Sequence, residues 1–260
     1  MKTRKFDFLD FYNIMLIIYL VLPIIIIIVF SFSSNPSGQF PMKGLTLDWY
    51  RKAFTDKLII NAIKNSIYVA LSTAGISVFI GTLASFALVR YQFRFKKIVN
   101  TFMLIPITMP GIILGIALLS FFSNLHFTRS LLTVIISHVL FTVPFVVLIM
   151  NARLEGFDIA IEEASKDLGA STLQTFRYIT FPIIRPSIIG VIMLTFALSF
   201  DEFLVSFFTV GRQNTLPLII WSMLRRGVSP KVNAVATVVL CLSFSIILIA
   251  NKYAKLKLKV

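Results

Sequence analysis

The stretch Glu162-Glu163-Ala164-Ser165-Lys166-Asp167-Leu168-Gly169, followed ten residues past the glycine by Ile179-Thr180-Phe181-Pro182, is a polar island in a very apolar chain. Asp158 stands where a carboxylate accepts a free N–H of a first helical turn. Ile161, Ala164 and Leu168 follow at spacings of three and four and share one helical face. Glu162 and Lys166 form an i,i+4 pair in the favourable order. Gly169 is suited to end the helix in the left-handed conformation. Ser171 and Gln174 carry the spacing of a capping box that opens a second helix. The stretch therefore predicts a helix, a sharp glycine corner and a second helix running into Pro182. The apolar stripe of the first helix is too narrow to make a core, so it is expected to press into something else.

The surroundings of this island are membrane-like. The chain has 260 residues, of which 57% are hydrophobic and only 14% charged, and its mean hydropathy is +0.89. Soluble domains carry roughly a quarter charged residues, so the composition describes a polytopic membrane protein built as one all-α domain, residues 1–260. The net charge of +14 does not argue for nucleic acid. The basic residues sit in loops between apolar runs, where membrane topology accounts for them. Cys241 is the single cysteine. It lies in an apolar run and is read as a packing residue, which leaves no internal disulfide framework.

About 20 apolar residues cross the hydrocarbon core. Charge-free runs place five spans at about 12–32, 62–90, 98–122, 130–151 and 232–251, and an apolar run interrupted by acids adds one at about 181–208, the fifth of six in chain order. The first run is too long for a signal-peptide core and lacks a cleavage site, so it is read as an uncleaved span. With the N-terminus inside, the C-terminus is inside too, and fifteen of the 25 Lys and Arg fall on the cytoplasmic side. The island at 155–180 then also lies in the cytoplasm.

Several features inside and between the spans carry more specific expectations. Gly75, Gly81, Ser72, Ser77, Thr82 and Ser85 in the second span suit close helix packing in lipid. Pro106, Pro110, Gly111 and Gly115 kink the third, either beside a translocation path or as a bent packing helix. His138 in the fourth is expected to make a satisfied interhelical hydrogen bond rather than a proton relay. Asp48 is expected to cap a short outer helix that anchors Trp49 and Phe54 at the interface. The run Ile220–Met223, around Trp221, is too short to span and reads as a half-buried outer helix or re-entrant piece.

The acidic pair Asp201-Glu202 interrupts the fifth span. A carboxylate at membrane depth costs on the order of 2.5–3.5 kcal/mol and normally faces a bundle interior or a water-filled path. Adjacent helical positions differ by about 100°, so one of the two is expected to line the path. Phe200, Phe203, Phe207 and Phe208 surround them. Carboxylate plus aromatic faces suits an alkylammonium. The other reading puts both acids at the outer interface.

Glu163-Ala164-Ser165, Gly169, Ile179 and Pro182 resemble the EAA loop, E-A-A-x3-G-x9-I-x-L-P, of the membrane subunits of ABC importers. The register agrees at every position, with Ser165 in place of alanine and Phe181 in place of leucine. The resemblance implies a type I, MetI-like permease. It also implies that Glu162, Glu163, Ala164, Ser165, Asp167, Leu168, Gly169 and Pro182 belong to a coupling helix and its corner, which dock in a groove of a cytoplasmic ATPase subunit. Phe200-Asp201-Glu202-Phe203, Thr215-Leu216-Pro217, Gly227-Val228-Ser229-Pro230 and Asn233-Ala234-x-Ala236-Thr237 are similar to the permease subunits of spermidine/putrescine importers. Related permeases for iron, thiamine or phosphonate share parts of these segments.

What the resemblance implies is an ATP-driven importer subunit in the bacterial plasma membrane, moving polyamine inward. Its partners would be a homologous second permease, two cytoplasmic ATPase subunits that bind ATP and Mg, and an extracytoplasmic polyamine-binding protein. Asp201, Glu202, Phe200 and Trp221 are the candidates for the substrate path. The chain has no G-x4-G-K-[ST] phosphate loop, no HExxH and no nucleophile–base motif. No catalytic residue, metal site or cofactor is therefore expected in it. A secondary carrier is the rival class, but no paired broken helices or internal repeat accompany it.

Overall fold

The structure is a computed structural model and describes residues 8–36, 41–227 and 229–255. Lys2, Arg4, Lys5, Gly38, Val228, Lys257 and Lys259, which entered the reading of the loops and termini, lie outside the described residues. Twelve helices follow in order among the described residues: α1 (Phe8–Phe30), α2 (Asp48–Thr55), α3 (Lys57–Arg90), α4 (Lys96–Thr108), α5 (Gly111–Asn124), α6 (Leu131–Glu155), α7 (Ala160–Asp167), α8 (Thr172–Thr175), α9 (Phe181–Phe200), α10 (Leu204–Thr209), α11 (Leu216–Arg225) and α12 (Pro230–Lys255). A wide π turn, Phe176–Thr180, joins α8 to α9.

The all-α expectation holds, and four helical runs are long and apolar enough to cross a membrane: α1, α3, α6 and the continuous run Thr172–Phe200. The sixth expected span falls on α12. Two boundaries need correction. The third expected span is two helices, α4 and α5, bent by 107°. Pro110 lacks the N–H to continue α4, and its predecessor Met109 is extended at ψ 132°. The fifth expected span starts as read, with α9 at Phe181, but its helix ends at Phe200 rather than running to 208.

The chain divides into two compact units, Met1–Ile60 with Ile219–Leu242, and Asn61–Leu218 with Ser243–Val260. In the first, α1 buries none of its residues. The segment after it folds back through an isolated bridge between Ser33 and Leu45. Trp49 donates from its indole N–H to the Ser33 carbonyl at 2.8 Å, and the Tyr50 and Ser31 hydroxyls lie 2.6 Å apart. Asp48 does not cap α2 but is its first residue, and its own N–H goes to the Thr46 hydroxyl. The capping carboxylate is Asp56. Its Oδ1 accepts the Leu58 N–H at 2.9 Å at the start of α3, while Oδ2 meets Lys231 Nζ at 2.6 Å. Trp221 stands on α11, 44% exposed.

In the second unit the inner face of α3 is a stripe of small and polar side chains at spacings of three and four: Ser66, Ala70, Thr73, Ala74, Ser77 and Ser85 are buried. Tyr68, Leu71, Phe79 and Leu83 point outward. Most large apolar side chains lie outside and small ones inside, with Val69, Val78 and Leu88 among the buried exceptions, an arrangement that lets helices approach closely in lipid. Ser77 and Thr142 hydroxyls meet at 2.7 Å, and Ser85 donates to the Val147 carbonyl at 3.3 Å. A Cβ on Gly81 would come within 2.7 Å of Val146, so only glycine allows α3 and α6 this close. Val78, Val146, Met150, Leu154, Ile184 and Val191 form the apolar core that ties α3, α6 and α9 together.

Two outcomes are expected. Gly81→Val overpacks this contact at a cost of about 1–3 kcal/mol, read as a lower unfolding temperature of the detergent-purified protein; Gly75→Ala, where no atom lies within 4 Å of the added Cβ, leaves it unchanged. The second concerns pH. The Lys231 ammonium beside Asp56 holds its carboxyl below the usual carboxylate range. A depressed carboxylate stabilises above its unfolded pKa and loses that contribution as pH falls through the folded one. The stability gap between wild type and Asp56→Asn is therefore constant from pH 5 to 8, on the order of 1 kcal/mol or less, and closes below about pH 4.

Candidate functional site

The loop after α6 folds as its sequence reads. Asp158 Oδ1 accepts the Ala160 N–H at 3.0 Å. At the other end of α7, Ala170 N–H reaches the Ser165 carbonyl at 3.1 Å and Gly169 N–H reaches the Lys166 carbonyl at 2.8 Å. This nested pair is a Schellman stop. Gly169 has φ +89° with no atom within 4 Å of a hypothetical Cβ, so backbone conformation alone demands the glycine. Ser171 and Gln174 cap each other, at 2.7 and 3.3 Å.

The inner face of α7 is polar and pinned. Glu162 Oε1 accepts from Arg90 Nη2 at 3.2 Å and from Thr180 Oγ1 at 2.8 Å. The Arg90 guanidinium also lies over the Phe157 ring at 5.4 Å. Ser165 Oγ and Thr175 Oγ1 meet at 3.1 Å. Arg90, Glu162, Thr175 and Thr180 border a cleft of about 360 Å³ that includes Glu163 and Lys166. The expected Glu162–Lys166 pair does not form among the described ion pairs, because Glu162 turns inward to a cation that ends α3. The sequence offered no signal for that partner, 72 residues away.

The outer face of α7 is open. Ile161 is 44% and Leu168 90% exposed, and Glu163, Ala164 and Asp167 are exposed as well. The apolar stripe of α7 thus finds no cover among the described residues. Pro182 acts differently from a stop. It has no N–H for the Tyr178 carbonyl, and its ring would crowd that oxygen. The preceding turn widens to the π form, with Phe181 N–H bonding to the Phe176 carbonyl. Helix then continues to Phe200.

The second candidate region is the break between α9 and α10. Asp201 caps the C-terminus of α9 and is exposed. Among the described residues no Lys or Arg closes an ion pair with it. Glu202 is occupied: its Oε1 accepts the Val205 N–H at 2.9 Å at the start of α10. It also lies beside Gly111, the first residue of α5, with Oε1 3.9 Å from where a Cβ would be. The N-terminus of α10 thus holds this carboxylate, with the start of α5 close by. The pair is separated by a broken backbone, not by the 100° step of a continuous helix. Phe200 turns inward at 7% exposure and stacks on Phe196 at 5.7 Å. Phe207 is half exposed and meets Phe208 edge-on at 5.3 Å. Behind the break, His138 of α6 is 1% exposed. Its Nδ1 lies 2.8 Å from Ser199 Oγ and its Nε2 2.9 Å from Ser206 Oγ. The histidine is the satisfied interhelical hydrogen bonder the sequence suggested.

The Arg90–Glu162 contact has a measurable signature. A double-mutant cycle of Arg90→Ala and Glu162→Ala, read by thermal unfolding, is expected to give an interaction energy of about 0.5–3 kcal/mol. Additive losses would show that the two side chains do not act on each other.

Comparison with known proteins places these features in a family. Residues 77–256 match the profile of binding-protein-dependent transport system inner membrane components. The chain is 38% identical over 242 residues to the spermidine/putrescine transport system permease protein PotC of Escherichia coli strain K12, covering 93% of this chain and 91% of that protein. It is 34% identical over 230 residues to the putrescine transport system permease protein PotI of the same strain, covering 85% and 82%. A chain from the crystal structure of a bacterial ABC transporter involved in the import of the acidic polysaccharide alginate superposes with a TM-score of 0.73 at 17% identity, covering 96% of this chain and 99% of that one, which speaks for the fold alone. The chain belongs to the family of binding-protein-dependent transport system inner membrane components, integral proteins of the bacterial plasma membrane.

Proposed function

We propose that this chain is a membrane permease subunit of an ATP-driven importer that moves polyamines into the cytoplasm. The observation that carries the reading is the two-faced α7. Its inner face is held by Arg90, Thr180 and Thr175, and its outer stripe of Ile161, Ala164 and Leu168 is uncovered. A pinned helix with an open apolar face is suited to receive force from a partner, and the partner is an ATPase subunit. Glu163, Asp167 and Leu168 contact it, Gly169 sets the corner, and Glu162 and Ser165 hold the loop to its own chain.

From the loop, α9 runs 20 residues, about 30 Å at 1.5 Å per residue, to Asp201. A displacement at α7 is delivered along one helix to the break. Asp201 is the residue that meets the ammonium of the solute, with the open ring of Phe207 as a cation–π surface. Glu202 is retained by the α10 N-terminus and shapes the site. The identity to PotC and PotI supports a polyamine as the solute. The N- and C-termini and α7 lie in the cytoplasm. A second permease completes the path, two ATPase subunits with ATP and Mg supply the energy, and an extracytoplasmic binding protein delivers the solute. The ATPase dimer favours one of two permease conformations by binding it more tightly. Family membership removes the support for a secondary carrier.

Labelled spermidine and putrescine uptake in transport-null cells carrying the full system tests this reading. Wild type is expected to accumulate label. Asp201→Asn is expected to lose tenfold or more with the complex still assembled, and Leu168→Glu to lose co-purification of the ATPase subunit together with uptake. Uptake unchanged in Asp201→Asn would remove Asp201 from the path. Absence of polyamine uptake in wild type would overturn the solute and direct the assay to iron, thiamine and phosphonate.

A further inference from the structure

The break between α9 and α10 has a feature that neither a packing role nor a capping role requires. A helix that ends at Phe200 and restarts at Leu204 leaves backbone groups without helical partners. Val205 N–H is served by Glu202. Nothing in that bond fixes the angle between the two helices. The buried imidazole of His138 touches both sides of the break. One nitrogen lies against Ser199, two residues before Asp201, and the other against Ser206, in α10. The same α6 also holds the end of α10, where Thr133 donates to the Thr209 carbonyl at 2.8 Å. On its far side α10 leans on α5, where a Cβ on Gly115 would meet Phe208 at 2.6 Å. So α10 is held by α5 and α6 on several sides. The outer end of α9, with buried Ser199, has His138 as its polar tie to α6.

We propose that His138 is a positioning residue for the solute site: its two ring nitrogens fix the angle of the α9–α10 break and thereby the direction in which Asp201 is presented. The imidazole suits the task. It is flat and stiff, with two hydrogen-bonding atoms on one ring edge pointing apart. In the neutral ring one nitrogen donates and the other accepts, and each serine hydroxyl supplies the complement, so either tautomer closes both bonds. At 1% exposure no water replaces a lost partner. The proposal rests on the reading of Asp201 as the solute contact for its transport readout, but not for its geometric one.

The test uses the complete transporter with four variants: His138→Phe, which keeps a ring and removes both bonds; His138→Gln, which keeps one donor and one acceptor at similar reach; Ser199→Ala with Ser206→Ala, which removes only the hydroxyls; and all three removals together. Complex recovered at wild-type amount is the control. The expected result is a KM for spermidine raised tenfold or more in His138→Phe with a smaller change in maximal rate. The double serine variant is expected to match it, the combined variant to add nothing further, and His138→Gln to recover most of the loss. Wild-type KM in the double serine variant, or losses that multiply in the combined variant, would overturn the proposal. If His138→Phe is not recovered, the serine variants decide alone. A second readout is independent of the solute. In a Cys241→Ser background, Asp201→Cys is labelled by a membrane-impermeant maleimide, and the labelling rate is expected to change at least tenfold when Ser199 and Ser206 both become Ala. An unchanged rate overturns the positioning role. A changed rate with no polyamine transport in wild type leaves it standing while the solute reading fails.

Discussion

Polar groups that leave a helix in an apolar surrounding must find partners inside the protein, and the architecture here follows from where that happens. The break between α9 and α10 is the clearest case. Glu202 folds onto the Val205 N–H, and His138 takes a hydroxyl on each side. The bend at Pro110 is met by packing: Gly111 and Gly115 let α5 close on Leu204 and Phe208 of α10. Each of these two interruptions is thus tied to a neighbouring helix, although Pro110 and Asp201 themselves are exposed.

The same rule, turned outward, shapes the loop around α7. Its buried side is built of an ion pair and hydroxyls, while its apolar stripe of Ile161, Ala164 and Leu168 is exposed beside the charged Glu163, Lys166 and Asp167. A soluble helix is arranged the other way round. The inversion makes sense for a short helix that must stay attached to its own chain while offering an apolar face elsewhere. Arg90 is well placed for the attachment. As the last residue of α3 its charge favours the helix C-terminus, and its guanidinium links α3 to Glu162 on α7. Thr180, sharing the same carboxylate oxygen, brings in the π turn that begins the run into α9.

The two regions lie at the two ends of one helical run. Pro182 does not stop the helix but widens the turn before it, and the run from Thr172 to Phe200 stays helical. A rigid rod thus starts beside α7 and ends beside His138. Apolar contacts of Ile184 and Val191 with Val78, Val146 and Met150 keep it packed along its length. Rigid elements of this kind carry displacement because packed interfaces resist continuous deformation.

Much of this was legible in the sequence wherever the deciding interaction is local. The Ser171–Gln174 box and the Gly169 corner depend on neighbours within a few residues, and spacing alone places them. Most span positions follow from the absence of charge over about 20 residues. Other features depend on chain segments far apart in sequence. Glu162 leaves Lys166, four positions on, for Arg90, 72 residues away, because the end of α3 arrives beside α7 when α3 and α6 pack. His138 was legible as a polar residue needing partners, but Ser199 and Ser206, 61 and 68 residues on, were not. The two acids looked equivalent until the break gave Glu202 a backbone N–H and left Asp201 open. The sequence by itself determined the long apolar helices and the capped corner around Gly169, because those are contests among neighbours. Which polar side chains meet across the turns was decided only by the tertiary packing that brings the helix ends together.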